Sequence, residues 1–220
     1  MKRVFLAAVF CLMTSAAFAQ WEIGLKITPS IAGNRVVAPN EYNFETLNAK
    51  THFGGGVIAD YFFSENYAFS TGLIYNARGA GVKYSFTPTT GTRLQGSDEF
   101  SIQYLEIPVT IKLYTNDVAT DTKLYFQAGG SFDPRISAKV NNNKLDAADN
   151  KNTKHFNFMD VSVLIGAGAE KQVGESTKVF GGISYHRGLF DIDNYYEDQL
   201  DTKNIEIKNS YFALDLGLKF

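Results

Sequence analysis

Residues 101–113 read Ser-Ile-Gln-Tyr-Leu-Glu-Ile-Pro-Val-Thr-Ile-Lys-Leu. From Tyr104 onward the stretch alternates without exception. Leu105, Ile107, Val109, Ile111 and Leu113 fall on one face, and Tyr104, Glu106, Pro108, Thr110 and Lys112 on the other. A side-chain period of two is that of a β-strand, whose successive Cβ atoms point to opposite sides. One face carries full charges and the other none, so the strand divides two environments of different polarity. Pro108 has no N–H to give to a neighbouring strand and predicts a bulge or a local gap in the ladder there.

The rest of the chain repeats this division. Upstream, strands are predicted over 21–31, 51–63 and 67–86. The third sets Tyr67, Phe69, Leu73, Tyr75 and Ala77 against Ser70, Gly72, Asn76 and Arg78. Downstream they are predicted over 122–136, 156–171, 177–189 and 205–220. The connections alternate in length. Stretches 32–50, 87–99, 137–155 and 190–204 are long and polar; 63–66, 114–121 and 172–176 are short. Outer-membrane barrels show this alternation, with short periplasmic turns and long external loops. The expectation is an all-β fold, a single up-and-down antiparallel transmembrane β-barrel of about eight strands, filling residues 20–220. Trp21, Tyr61, Phe63, Tyr67, Tyr114 and Phe126 flank the short turns, where an aromatic belt is expected. A last strand ending in Phe220 resembles the C-terminal signal by which such barrels are recognised for assembly.

Composition agrees. The chain has 18 Phe and 12 Tyr against one Trp, with 19 Gly, a balance that suits strands better than helices. Lys2 and Arg3, an apolar run over 4–13 and Ala17-Phe18-Ala19 form a secretory signal, predicted to be cut between Ala19 and Gln20. Its removal takes away the sole cysteine, Cys11, and two basic residues, moving the net charge from −2 to −4. An acidic chain lacks the basic face that nucleic acid requires.

The charge-free faces can meet lipid, or they can line the inside of a secreted soluble carrier of lipocalin type. Lipid is preferred. The polar face is rich in Gly, Ser and Ala, as a narrow interior requires, and a soluble barrel gives no reason for alternating loop lengths. The interior is then predicted to hold Glu106, Lys112, Asp133, Arg135, Asp160, Glu170 and Asp215, whose mixed signs allow pairing that plugs the lumen.

Signals for chemistry are sparse. Ser184 and His186 share a face, as a hydroxyl and a base of a lipid hydrolase could. The same parity turns both inward, away from lipid, so an interior polar pair is the preferred reading. His52 and His155 lack metal-ligand spacing. The acidic run 191–198 has no Gly at the sixth loop position and Thr202 at the twelfth, and so fails as an EF-hand; divalent ions at the 190–204 loop stay an open alternative. No cofactor is expected.

The motif Tyr104-Leu105-Glu106-Ile107-Pro108-Val109 with Lys112, the Arg78-Gly79-Ala80-Gly81 that ends the preceding strand, and Tyr185, Gly188 and Leu189 resemble the PorT-like outer-membrane β-barrel family. The resemblance implies a barrel set in the outer-membrane lipid. The expected role is that of a non-enzymatic interaction or structural barrel presenting its external loops; the resemblance suggests, by analogy with a namesake associated with protein secretion, a part accessory to an envelope or secretion assembly.

Overall fold

A computed structural model describes residues 20–86, 91, 93–145, 149–194, 196 and 205–220. The expected signal at 1–19 lies outside the described residues, as do parts of the connections expected at 87–99, 137–155 and 190–204. The strands are β1 (Trp21–Val37), β2 (Glu45–Thr46), β3 (Lys50–Ser64), β4 (Tyr67–Arg78), β5 (Gly81–Phe86), β6 (Leu94–Tyr114), β7 (Thr122–Val140), β8 (Met159–Gln172), β9 (Lys178–Gly188) and β10 (Glu206–Lys219). Eight of them, β1, β3, β4, β6, β7, β8, β9 and β10, pair antiparallel in chain order. β10 returns to β1, with Leu25 opposite Leu218, and closes the cylinder. Closure leaves the wall without an unpaired edge.

The polarity of the cylinder is inverted relative to a soluble protein. Leu25 is 57% exposed on the outside, while Asp60 and Asp133 are 0% exposed inside. This geometry overturns the soluble-carrier alternative, which needs the apolar face inward. Small residues make room within. A Cβ on Gly168 or Gly182 would stand 2.5 or 2.4 Å from the Tyr125 hydroxyl, so glycine there lets the phenol cross the lumen.

Pro108 produces a gap and no bulge on its β4 side. Pairing runs to Thr71 opposite Val109 and resumes at Ile74 opposite Glu106 in the same register. The register shift in β6 lies at Gln103/Tyr104, against β7.

Four expectations are corrected. The loop expected at 87–99 is strand from Leu94 on, pairing with β5 from Phe86 opposite Leu94 to Gly81 opposite Glu99. This hairpin rises beyond the cylinder wall, and its polar Gln95, Ser97 and Asp98 hide the period of two. The single strand expected over 67–86 is split at Gly79, whose φ is +128°. A Cβ there would meet the Phe100 carbonyl at 2.6 Å, so both the turn and the close approach require glycine. Tyr114 does not belong to the aromatic belt. Trp21, Phe63, Tyr67 and Phe126 point outward, but Tyr114 is buried in the lumen. β1 and β7 also run on to Val37 and Val140, into stretches expected as loop, because their ends stay paired, Val37 with Glu206 and Val140 with Phe100.

Val109→Arg puts a cation on the outward face, at a cost of about 2–4 kcal/mol if it sits at mid-depth. The expected outcome is a loss of correctly folded protein, read as the heat-modifiable band on unboiled gels. Normal folding of this variant would mean that the outward face does not meet hydrocarbon.

Candidate functional site: a packed lumen beneath an apolar cap

The lumen holds two tiers of charge. The tier nearer the short turns is built from β1, β3, β6, β8, β9 and β10. Lys112 Nζ lies 2.9 Å from Asp60, and Lys219 Nζ lies 2.7 Å from the same carboxylate. Lys219 also contacts Glu170 and donates to the Tyr114 hydroxyl at 2.9 Å. Lys178 pairs with Glu22 and reaches Glu170 at 3.4 Å. Between the tiers, Lys26 and Asp215 pair at 2.8 Å. Here four ammonium groups meet four carboxylates.

The outer tier centres on Arg78 at the end of β4. Its Nη1 donates to Asp133 at 2.7 Å, and its Nη2 donates to Glu106. The guanidinium also lies between two rings, 5.1 Å from the centre of Tyr104 and 4.6 Å from that of Tyr211. Two rings approach the guanidinium and two carboxylates take its two arms, a fit that a lysine could not reproduce.

Ser184 and His186 do meet here. Ser184 Oγ is 3.1 Å from His186 Nε2, and Tyr211 OH is 2.6 Å from His186 Nδ1. Tyr211 donates its one proton to Glu106 at 2.7 Å, so it must accept from Nδ1–H. In the neutral imidazole, Nε2 is then an acceptor and Ser184 donates to it. This is the order of nucleophile, base and orienting group found in hydrolases, closed inside a wall: Ser184 and His186 are 3% and 1% exposed.

Of the predicted interior residues, Glu106, Lys112, Asp133, Asp160, Glu170 and Asp215 are all buried in the lumen. Arg135 differs. It is half-buried near the outer rim, opposite Tyr104, and its Nε and Nη1 have no hydrogen-bond partner. The expected pairing of Arg135 with an acid is not made; Arg78 takes that part. Glu22, Lys26, Asp60, Arg78, Lys178 and Lys219 complete the network and are absent from the predicted set. The parity rule that selected the others puts them on the same polar faces.

Above the outer tier the ends of β6 and β10, with β5 and the connections around them, build an apolar cap. Val82, Phe100, Ile102, Phe156, Ile192, Tyr196, Ile205 and Ile207 pack together, with Tyr104 at their base. A cleft of about 210 Å³ opens beside it, lined in part by Asp98, Phe100, Asn141, Phe156, Asp193 and Tyr196. The Tyr196 hydroxyl donates to Asp98 at 2.5 Å, and Asn141 Nδ2 donates to the same carboxylate at 2.9 Å. Burial and the neighbouring Asp98 push the Tyr196 phenol far up, so it stays a donor. Asp191 and Asp193 of the acidic run accept backbone N–H groups of Ile207 and Tyr196, and so hold the cap together. Among the described residues no group of three or more His, Cys, Asp or Glu is arranged to hold a metal.

Arg78→Ala leaves Glu106 and Asp133 buried without their cation and should cost about 3–5 kcal/mol. The midpoint of heat modifiability is expected to fall sharply for this variant and little for Arg135→Ala. Equal effects would show that Arg78 is not the hub.

Comparison with known proteins agrees with this architecture. None of the curated proteins matches the chain in sequence. The crystal structure of Neisserial surface protein A (NspA) matches at 12% identity with a TM-score of 0.51, covering 91% of this chain and 97% of that one. The outer membrane protein OprG from Pseudomonas aeruginosa matches at 9% identity with a TM-score of 0.51, covering 91% and 96%. At such identities the likeness is one of fold. The family model for an outer membrane protein beta-barrel domain matches residues 17–194. With its closed eight-strand wall and outward apolar face, the chain belongs to that family, and its place is the bacterial outer membrane.

Proposed function

We propose that this is a plugged, non-catalytic barrel that acts as an interaction protein through its external cap. It is exported as a precursor and loses residues 1–19. The observation that carries the reading is the contrast between the two parts of one cylinder. The lumen is filled by ion-paired side chains, whereas the cap holds a cleft of about 210 Å³ with aromatic and polar walls. An eight-stranded cylinder is only wide enough for its own side chains. The Ser184–His186 pair is sealed by the same packing, so it serves as part of the plug. The partner class that fits the PorT-like motifs is an envelope or secretion protein reached from the outer face.

Three measurements test this. A photo-cross-linker at Asn143, on the rim of the cleft, should trap a discrete envelope protein in intact cells. The same group at Asp117, in a short turn, should not give that adduct. In a planar bilayer the wild-type protein should show no large, steady conductance. An open conductance would remove the plug, and hydrolysis of envelope lipid that is lost in His186→Ala would remove the non-catalytic reading.

A further inference from the structure

The two tiers of the lumen differ in charge balance. The inner tier and the pair between the tiers contain Glu22, Asp60, Glu170 and Asp215 against Lys26, Lys112, Lys178 and Lys219, and are neutral. The outer tier contains Glu106, Asp133 and Asp160 against Arg78 alone. Two negative charges are left over when His186 is neutral, and one when it is protonated. Arg135 does not supply the difference, because no ion pair joins it to these acids.

The surplus is localised. Asp133 on β7 and Asp160 on β8 are directly opposite each other in the register, and both point into the lumen, 0% and 1% exposed. Every partner of Asp133 sits on one oxygen: Oδ2 accepts from Arg78, Ser131 and Ser162 at 2.7, 3.0 and 3.3 Å. Its Oδ1 has no partner. Asp160 repeats the pattern. Its Oδ2 accepts from Asn209 Nδ2 at 3.2 Å and its Oδ1 has none. The Oδ1 of buried Asn209 is also without a partner. Like charges directly opposite on a sheet repel, and a buried carboxylate without a counter-charge is strongly disfavoured.

We propose that the outer tier of the lumen is a binding site for a hard metal cation, held by Asp133 Oδ1 and Asp160 Oδ1 with the Asn209 amide oxygen. Directly opposed residues have Cβ atoms about 4.5–5.5 Å apart. One ion with oxygen ligands at about 2.3–2.6 Å spans that distance. The donors are all oxygen and include no imidazole or thiolate, which selects calcium-like ions over transition metals. A divalent ion balances the tier completely when His186 is neutral. Ile102, Phe156, Ile205 and Ile207 belong to the apolar cap above this tier, so the ion enters as the barrel folds and exchanges slowly afterwards.

The test is refolding in detergent free of lipopolysaccharide, with calcium or with EDTA, at equal ionic strength set by choline chloride. Calcium-refolded wild type should retain about one ion per chain after desalting, by elemental analysis. Its heat-modifiability midpoint should lie about 5–10 °C above that of the EDTA-refolded form at a hundredfold excess over Kd. Asp160→Asn should fold in EDTA at least as well as wild type and lose both the retained ion and the shift. Asp117→Asn, in an exposed turn, should keep both. Absence of a retained ion together with equal midpoints in calcium and EDTA would overturn the site and assign the missing charge to protons. A response that survives Asp160→Asn would overturn it too, placing the ion elsewhere, such as the acidic run 191–198.

Discussion

The guanidinium of Arg78 is the constraint on which the rest of the interior depends. It is buried and held between two tyrosine rings and two carboxylates, contributed by β6, β7 and β10. A cation so far from bulk water persists only when its partners are fixed in place. They are fixed by the register. A slip of β4 against β6 by one residue would turn Arg78 into lipid, and a slip of two would carry it about 6.6 Å from Glu106. The network therefore specifies one alignment of strands whose outward faces, largely aliphatic and aromatic, would tolerate several.

The outward face gives little specificity of its own, because lipid chains are as apolar as leucine. What a soluble protein does with an interlocking apolar core, this chain does with hydrogen-bonded charge. The apolar core it does possess lies in the cap, where Phe100 of β6 and Ile207 of β10 meet Phe156 from the connection before β8. The molecule thus stacks two folding problems end to end: an inside-out cylinder and a small conventional core. β6 belongs to both, running from the hairpin beside the cleft down to Tyr114 at the inner mouth.

The cylinder was legible because its signal is local. Alternation from Tyr104 to Leu113 states both the strand and its two faces, and the same pattern elsewhere yields the strand count. The cap was illegible for the complementary reason. Residues 95–99 lack apolar side chains on a strand that pairs with β5 beyond the eight-strand wall, so no period distinguishes them from a loop. Site residues were legible by face and not by pairing. Parity sent Arg78, Lys26, Asp60 and Lys219 inward along with Glu106 and Asp133. Which cation meets which acid depends on shear between strands far apart in sequence, and no spacing records it. Arg135 shows the limit: its parity is right, but its height at the rim leaves it without an acid. Tyr114 shows another, since an aromatic beside a turn suits the belt or the lumen equally until its hydroxyl finds Lys219.

Lys219 lies on β10, yet the acids it neutralises, Glu22, Asp60 and Glu170, lie on β1, β3 and β8. Before β10 docks against β1, Asp60 keeps only Lys112, and Glu170 keeps only Lys178 at 3.4 Å. Because Asp215 is also on β10, a sheet without that strand keeps its overall balance of charge, but Asp60, Glu170 and Lys26 each lack a partner, a deficit of ion pairs and not of charge. Docking of the final strand removes that deficit in one event. The assembly has an electrostatic latch: intermediates with seven strands are penalised, the closed state is reached cooperatively, and a cylinder closed with a strand missing or out of order would be rejected by its own interior.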